Sequence, residues 1–215
     1  MILLLGTTVT QDFRHVVTNT PKTETRRGSG YRGRAFLYVL LARGPEDILK
    51  VGMTHDPLER WSSFHPRWFR TFDLDHSLLV ETETRADAQA LETSLHRSLA
   101  AHRCPMPLAM FAPAGGATEW YRGAYDTAVG FVLHCEQQGY VIHQQVREWL
   151  APAMSEERAR LDGIVREAFE RQCAGLLSPD QLDLVRALVE SHREFAPDIQ
   201  NMFPSVLVEA LRLNG

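Results

Sequence analysis

Four polar residues in the first half of the chain have side chains that could take part in chemistry: Tyr38, Lys50, Arg60 and Glu92. Taken singly, the first three have ordinary explanations as a half-buried strand tyrosine, an edge lysine and a solvated helix arginine. Glu92 adjoins the apolar face of a predicted helix. A carboxylate there costs free energy unless a divalent cation or a cationic side chain compensates for it. The pattern predicts either a metal ligand or a salt bridge, with Arg60 as one candidate partner.

The apolar pattern predicts the elements that position the first three of these residues. Two apolar runs of strand length, Phe36 to Ala42 and Ile48 to Thr54, flank a segment with Gly and Pro, which predicts an antiparallel hairpin. Asp56 followed by Pro57 is typical of the start of a helix, and Arg60 projects from that helix.

Downstream, a third strand and a longer helix are predicted. Leu74 to Val80 has strand character, and Thr84 is a candidate N-cap for the helix that follows. Glu92 and His96 are one turn apart on this helix, beside its apolar face. That face is formed by residues at helical spacing, namely Ala88, Leu91, Leu95 and Leu99.

This ordered set resembles the GIY-YIG endonuclease superfamily. Leu37-Tyr38-Val39 stands for its first motif, Lys50-Val51-Gly52 for its second, and Arg60 for its downstream arginine. The lysine in place of the second tyrosine resembles the second motif of one branch of this superfamily, the phage-encoded and "meiotically up-regulated gene" type proteins. That branch also carries a Leu-Glu-x-x-Leu-His helix and a Glu-Trp-aromatic ending, which here are Leu91 to His96 and Glu119 to Tyr121.

The resemblance covers residues 35 to 122 and implies an endonuclease that hydrolyses DNA phosphodiester bonds. The implied fold is α+β, a small three-stranded antiparallel sheet flanked by helices. Tyr38 is implied as general base or water-positioning group, Arg60 as the phosphate ligand and Glu92 as the ligand of Mg²⁺ or Mn²⁺. Lys50 is expected to favour the phenolate of Tyr38, because a nearby cation stabilises a charged phenol.

Two accessory residues also come from the resemblance. His96 is expected to order the site, while Glu119 is either a second polar site residue or a cap to the fold. A non-catalytic nucleic-acid-binding or regulatory module that retains the fold is the alternative function. The competence of all four principal side chains favours the enzyme.

Two basic segments are candidates for substrate binding. His65, Arg67 and Trp68 lie in a basic and aromatic stretch suited to stacked bases beside a charged track, although Trp68 could equally fill the core. Arg26 and Arg27 lie in a basic leader that either follows a phosphate backbone or is simply flexible.

The charge distribution agrees with a local nucleic-acid surface on an acidic molecule. The chain has 215 residues and a net charge of −4. Residues 1 to 70 hold 11 Lys and Arg against 6 Asp and Glu, net +5, whereas residues 71 to 215 hold 12 against 21, net −9. This asymmetry is compatible with single- or double-stranded DNA as a partner at one end.

The predicted organisation is an N-terminal basic segment (1–34), a nuclease domain (35–122) and an all-helical C-terminal region (123–215), which offers a surface for a homodimer or a protein partner. The helices predicted in that region include His143 to Leu150 and Pro179 to Phe195, the second of which starts from the cap Ser178. Three widely spaced cysteines indicate neither a disulfide framework nor a zinc ribbon. The apolar start of the chain is too short for a signal-peptide core, and no stretch has membrane-spanning length. These features predict a reducing, cytoplasmic setting.

Overall fold

The computed structural model describes residues 33–107 and 118–213, apart from the side chain of Gln200. Within these residues the fold is α+β, as predicted. The strands are β1 Ala35–Ala42, β2 Ile48–Thr54, β3 Phe72–Thr82, β4 Trp120–Arg122 and β5 Val141–His143. The α-helices are α1 Pro57–Ser62, α2 Trp68–Thr71, α3 Arg85–Ser98, α4 Tyr125–Gln137, α5 Val146–Glu156, α6 Arg158–Cys173, α7 Pro179–Phe195 and α8 Ser205–Ala210. Short 3₁₀ helices span Ala100–His102 and Pro197–Met202.

The strands form one antiparallel sheet in the order β4-β2-β1-β3-β5. The predicted hairpin of β1 and β2 is confirmed, with Tyr38 opposite Gly52 and Leu40 opposite Lys50. Strand β1 is flanked by strands on both sides and covered on both faces, so Ala35 to Leu40 are all buried. Burial on both faces explains why this strand is apolar throughout rather than alternating.

The described sheet has five strands, so the predicted count of three is wrong. The two extra strands, β4 and β5, are three residues each and form the two edges. A three-residue strand is too short to show a period of two in the sequence. Strand β5 also lies in the region predicted to be all helical, and the helix expected at His143 begins at Val146.

Local capping chemistry sets the helix starts that the sequence predicted. The Asp56 side chain accepts a hydrogen bond from the Glu59 amide at 2.9 Å at the start of α1. Thr84 accepts from the Asp87 amide at 3.1 Å at the start of α3. Helix α7 begins at a full capping box around Ser178. These side chains satisfy helix amides that have no intrahelical partner.

Two apolar cores cover the two faces of the sheet, and a third lies among the C-terminal helices. The first face packs the side chains of Tyr38 and Leu40 against the aromatic residues of α1 and α2 and against α5. The second face packs Leu37 and Val39 against α3 and α4. Helices α6, α7 and α8 share the third core. The segment after residue 122 therefore contributes to both faces of the sheet as well as to its own core.

Three further predictions concern the N-terminal segment, the domain boundaries and the absence of a membrane-spanning stretch. Arg26 and Arg27 lie outside the described residues, as does most of the predicted 1–34 segment. The domain boundaries at residues 34 and 122 stay predictions. Among the described residues, no helix combines the length and hydropathy that a membrane span requires.

Candidate functional site

Tyr38 is held in place by its neighbours on strand and helix. It is 1 % exposed, and its ring packs edge-on against Trp61 and Phe64 at centroid separations of 6.0 and 6.4 Å. Its hydroxyl passes over Gly52, where an added Cβ would stand 2.3 Å from the hydroxyl oxygen. Burial raises the pKa of Tyr38 to about 12, although the Arg60 guanidinium, which hydrogen-bonds the hydroxyl, acts in the opposite direction. The phenol is therefore protonated at neutral pH.

Lys50 is a buried cation that pairs with the Glu119 carboxylate. It is 1 % exposed, and its Nζ lies 3.2 Å from Glu119 Oε2. The ammonium also lies 5.1 Å from the ring centre of Phe64 and 5.2 Å from that of Trp120. Burial lowers the pKa of Lys50, and Glu119 opposes that shift. The expectation that Lys50 favours the phenolate of Tyr38 stays a prediction. The cation that acts on the pKa of Tyr38 in the structure is Arg60, and burial outweighs its effect.

Arg60 reaches the same pocket from helix α1. This helix anchors itself by burying Pro57 and Trp61, which leaves Arg60 on the adjoining side. The guanidinium lies 4.8 Å from the ring centre of Phe64. The Phe64 ring therefore contacts both Arg60 and Lys50 and helps to orient the two cations.

Glu92 enters from helix α3 and is 9 % exposed. One carboxylate oxygen accepts a hydrogen bond from Gln89 Nε2 at 2.8 Å, and the Met53 backbone amide also hydrogen-bonds the group. Burial raises the pKa of Glu92, and the neighbouring Glu119 carboxylate raises it further. A buried carboxylate beside a second carboxylate is an arrangement that a bound cation stabilises.

Glu92, His96 and Glu119 together have the donor atoms of a metal site. One ligand atom from each lies within 4.8 Å of the others. His96 Nε2 is 3.9 Å from Glu92 Oε1, and burial lowers the pKa of His96. Two carboxylates and one imidazole fit a divalent cation. The tertiary structure thus brings Glu119, whose role the sequence left open, beside Glu92.

The short strand β4 explains how residues from both faces of the sheet meet. It pairs with β2 only over three residues, Ile48 to Lys50, and the Val51 amide then donates to the Glu119 carbonyl at 3.1 Å. At this edge the charges of Glu92 and Glu119 act on both Tyr38 and Lys50. Tyr38, Lys50, Arg60 and Glu92 are therefore brought together, although the roles assigned to them stay predictions.

The predicted substrate-binding residues have other contacts in the structure. Trp68 is buried in the first core, the alternative that the sequence left open. Arg67 is 25 % exposed and forms ion pairs of 2.8 Å with Asp183 and 2.9 Å with Glu190 on helix α7. His65 accepts a hydrogen bond from the Arg67 amide at 2.9 Å, which shapes the turn before α2. Their contacts with nucleic acid stay predictions.

Three residues with clear positions at the site were given no role by the sequence. The Tyr121 hydroxyl lies 2.6 Å from His96 Nδ1, and its ring stacks on the imidazole. The Arg103 guanidinium hydrogen-bonds the same hydroxyl. Gly52 provides the space for Tyr38. Tyr121 and Gly52 lie inside the quoted motifs, so the sequence could have identified them as site residues. Nothing in the sequence marks Arg103.

Comparison with known families corrects the expected relationship. The family model of the T5orf172 domain matches residues 35–150, just over half of the chain. This is a different endonuclease-like domain family, so the expected membership of the GIY-YIG superfamily is wrong. The resemblance rested on short motifs, and motifs of a few residues are compatible with more than one family. No curated protein sequence and no solved structure matches the chain.

Proposed function

This chain belongs to the T5orf172 domain family, an endonuclease-like domain family, and from that premise we propose that it is a metal-dependent endonuclease that hydrolyses DNA. The observation that carries the proposal is the convergence of Tyr38, Lys50 and Arg60 with the carboxylates of Glu92 and Glu119 at one sheet edge. Cations for an anionic substrate and ligands for a metal ion lie side by side there. Phosphodiester hydrolysis needs both.

The positive charges of Arg60 and Lys50 complement the negative charge of a phosphodiester substrate. The planar guanidinium of Arg60 can hold two oxygens of one phosphate, and its position over Phe64 limits its conformations. Lys50 is held against Glu119 and acts as a fixed positive charge behind the phosphate. Both charges are aimed at the place where negative charge increases during attack on phosphorus, and this is the general requirement for electrostatic catalysis.

Tyr38 serves as a hydrogen-bonding group for the attacking water. With its pKa raised to about 12, the hydroxyl keeps its proton at neutral pH, so positioning the water is favoured over general-base catalysis. The tight space over Gly52 fixes the direction of the hydroxyl. A positioned water gains much of its rate advantage from orientation alone.

Glu92 is proposed to hold the metal ion, Mg²⁺ or Mn²⁺, with Glu119 beside it. When bound, the ion would supply positive charge for the phosphoryl and leaving oxygens. Gln89 and the Met53 amide keep the Glu92 carboxylate in a single orientation. The raised pKa of Glu92 is consistent with a ligand whose charge is compensated only when a cation is bound.

The test is nicking of supercoiled plasmid and of labelled single-stranded DNA with Mg²⁺, Mn²⁺ or EDTA. The native protein is expected to cut only with metal, and Glu92→Gln and Arg60→Ala should each lower the rate by about a hundredfold or more. Matched controls are Glu136→Gln and Arg97→Ala, two exposed residues on helices α4 and α3, which should cut at the native rate. A native protein that binds DNA but never cuts it would instead be the non-catalytic binding module.

A further inference from the structure

His96 has the environment of a metal-ligating imidazole. It lies one helical turn after Glu92 on α3, so both side chains project from the same face of the helix. Its Nε2 faces Glu92 Oε1 at 3.9 Å, and one of its ring nitrogens lies within 4.8 Å of ligand oxygens from both Glu92 and Glu119. The separation from Glu92 is too long for a good hydrogen bond and leaves space for an ion between the groups.

Tyr121 determines the orientation of this imidazole. Its hydroxyl oxygen is 2.6 Å from His96 Nδ1, and the two rings stack at a centroid separation of 5.7 Å. Tyr121 is itself buried on strand β4. When Nδ1–H donates to the tyrosine oxygen, Nε2 presents its lone pair toward the carboxylates. Ligand histidines in metal sites are typically held in this way through the other ring nitrogen.

We propose that Glu92, His96 and Glu119 form a mixed nitrogen and oxygen site for one divalent transition-metal ion such as Mn²⁺, with Tyr121 as the positioning residue. The inference rests on the proposed function and specifies the metal of that same site. Mg²⁺ is a hard cation that prefers oxygen ligands and retains its waters, whereas divalent transition-metal ions accept an imidazole ligand more readily. The imidazole therefore shifts selectivity from Mg²⁺ toward Mn²⁺, Co²⁺ and Zn²⁺.

The cations around the site couple metal binding to phosphate binding. Lys50 already pairs with Glu119, and Arg103 lies close enough to His96 to influence its charge. An ion in the site would be repelled by these groups until an anion compensates for them. A phosphate bound to Arg60 and Lys50 would provide that compensation. We therefore expect tighter metal binding when a phosphodiester is present.

The test is a titration of the full chain with Co²⁺, followed by its visible absorption, because band intensity and position report nitrogen and oxygen ligands. Titrations are run with and without a phosphorothioate oligonucleotide that resists cleavage. The native protein should bind one Co²⁺ per chain, more tightly with the oligonucleotide. Mn²⁺ should displace the probe at a concentration at least about tenfold lower than Mg²⁺ does.

Two variants test whether His96 binds the metal ion and whether Tyr121 positions His96. His96→Asn should weaken Co²⁺ binding by at least about tenfold and change the spectrum, and Tyr121→Phe, which keeps the ring, should weaken it by about tenfold. His134→Asn, on the exposed side of α4, is the matched control and should leave affinity and spectrum unchanged. Circular dichroism and thermal melting establish that each variant is folded.

The outcomes distinguish this inference from the proposed function. If His96→Asn binds Co²⁺ with native affinity and spectrum while Glu92→Gln does not bind, the histidine is not a ligand and the inference fails. Metal-dependent nicking that persists in His96→Asn would leave the nuclease in place. If the native protein binds no Co²⁺ with or without oligonucleotide, the site itself is overturned, and the nicking assay reports separately on catalysis.

Discussion

At the scale of single residues, the close approach of Tyr38 to Gly52 makes glycine a requirement of the site. A Cβ at position 52 would lie 2.3 Å from the Tyr38 hydroxyl oxygen and 2.6 Å from Cζ. In Gly52→Ala the rigid phenol must move, so we expect a loss of about 1 to 3 kcal/mol in unfolding free energy and a strong loss of nicking. Denaturant unfolding and the plasmid assay measure the two effects.

Gly130 provides the control for this substitution. It lies in the exposed interior of helix α4, and an added Cβ there meets no atom within 4 Å. Gly130→Ala should therefore stabilise the protein by about 0.5 to 1 kcal/mol, because alanine is the better helix former, and should leave nicking unchanged. If Gly52→Ala behaves in the same way as Gly130→Ala, the proposed constraint on Tyr38 is incorrect.

A second prediction at the residue scale concerns the stability cost of the Glu92 charge. Its pKa is raised above the usual 4.5, first by burial and then by Glu119, so ionised Glu92 destabilises the folded state. That cost is fully present above the folded-state pKa and disappears as pH falls below 4.5. Without metal, Glu92→Gln should therefore unfold at a higher temperature than the native protein at pH 7 and at the same temperature near pH 4.

The control for the Glu92 measurement is Glu136→Gln, an exposed residue on α4 whose melting temperature should follow the native value at both pH values. Added Mn²⁺ should reverse the order of the native protein and Glu92→Gln, since the variant lacks one of the proposed ligands and binds the ion more weakly. A native protein that is more stable than Glu92→Gln at pH 7 in EDTA would contradict the proposed cost. Such costs are common where function requires a strained or charged site.

At the scale of elements, helix α7 is attached to the sheet side of the molecule by an ionic contact. Arg67 before α2 binds Asp183 through two hydrogen bonds of 2.8 and 3.0 Å and Glu190 through one of 2.9 Å. Beneath this contact, Trp68 packs against Phe195. Arg67→Ala should lower the unfolding free energy by about 1 to 2 kcal/mol, a value discounted because the contact is partly exposed.

The salt dependence of stability distinguishes the ionic contribution of this contact from its packing contribution. The difference in stability between native protein and Arg67→Ala should shrink as NaCl is raised from 50 mM to about 1 M, because partly exposed charges are screened. Arg97→Ala, an exposed residue of α3, should remain within about 0.5 kcal/mol of the native protein at both salt concentrations. An effect of Arg67→Ala that is independent of salt would assign its role to packing.

At the scale of the whole molecule, the chain is acidic overall while its candidate site carries Lys50 and Arg60. With a net charge of −4, non-specific attraction to DNA should be weak, and the proposed DNA binding should depend on the few cations at the site. The logarithm of affinity for single-stranded DNA should therefore fall gently with the logarithm of salt concentration. Arg60→Ala should reduce the magnitude of that slope by about one.

Fluorescence anisotropy of a labelled oligonucleotide between 50 and 200 mM NaCl measures this slope, with Arg97→Ala as the control that should retain it. A slope that Arg60→Ala leaves unchanged would place the phosphate contact elsewhere. A weak slope combined with metal-dependent cutting would indicate that the site contributes to chemistry more than to affinity.

The sequence by itself determined the parts of this protein that depend on local chemistry. The hairpin, the start of α1 at Asp56 and the range of α7 follow from apolar periods and capping residues, whose effects act within a few positions of the chain. The same reasoning identified Glu92 as unusual, because it places a carboxylate beside an apolar helix face. Motif resemblance was a weaker guide, because matching motifs of a few residues do not distinguish the T5orf172 family from another endonuclease family.

The tertiary structure decided what depends on contacts between distant segments. Strands β4 and β5 are too short to show a period, and they exist because longer strands offer them edges. The pairing of Glu119 with Lys50, 69 positions away, and its approach to Glu92 follow from that edge. Burial decided the pKa of Tyr38, since desolvation depends on every element that covers the ring and not on the neighbours in sequence.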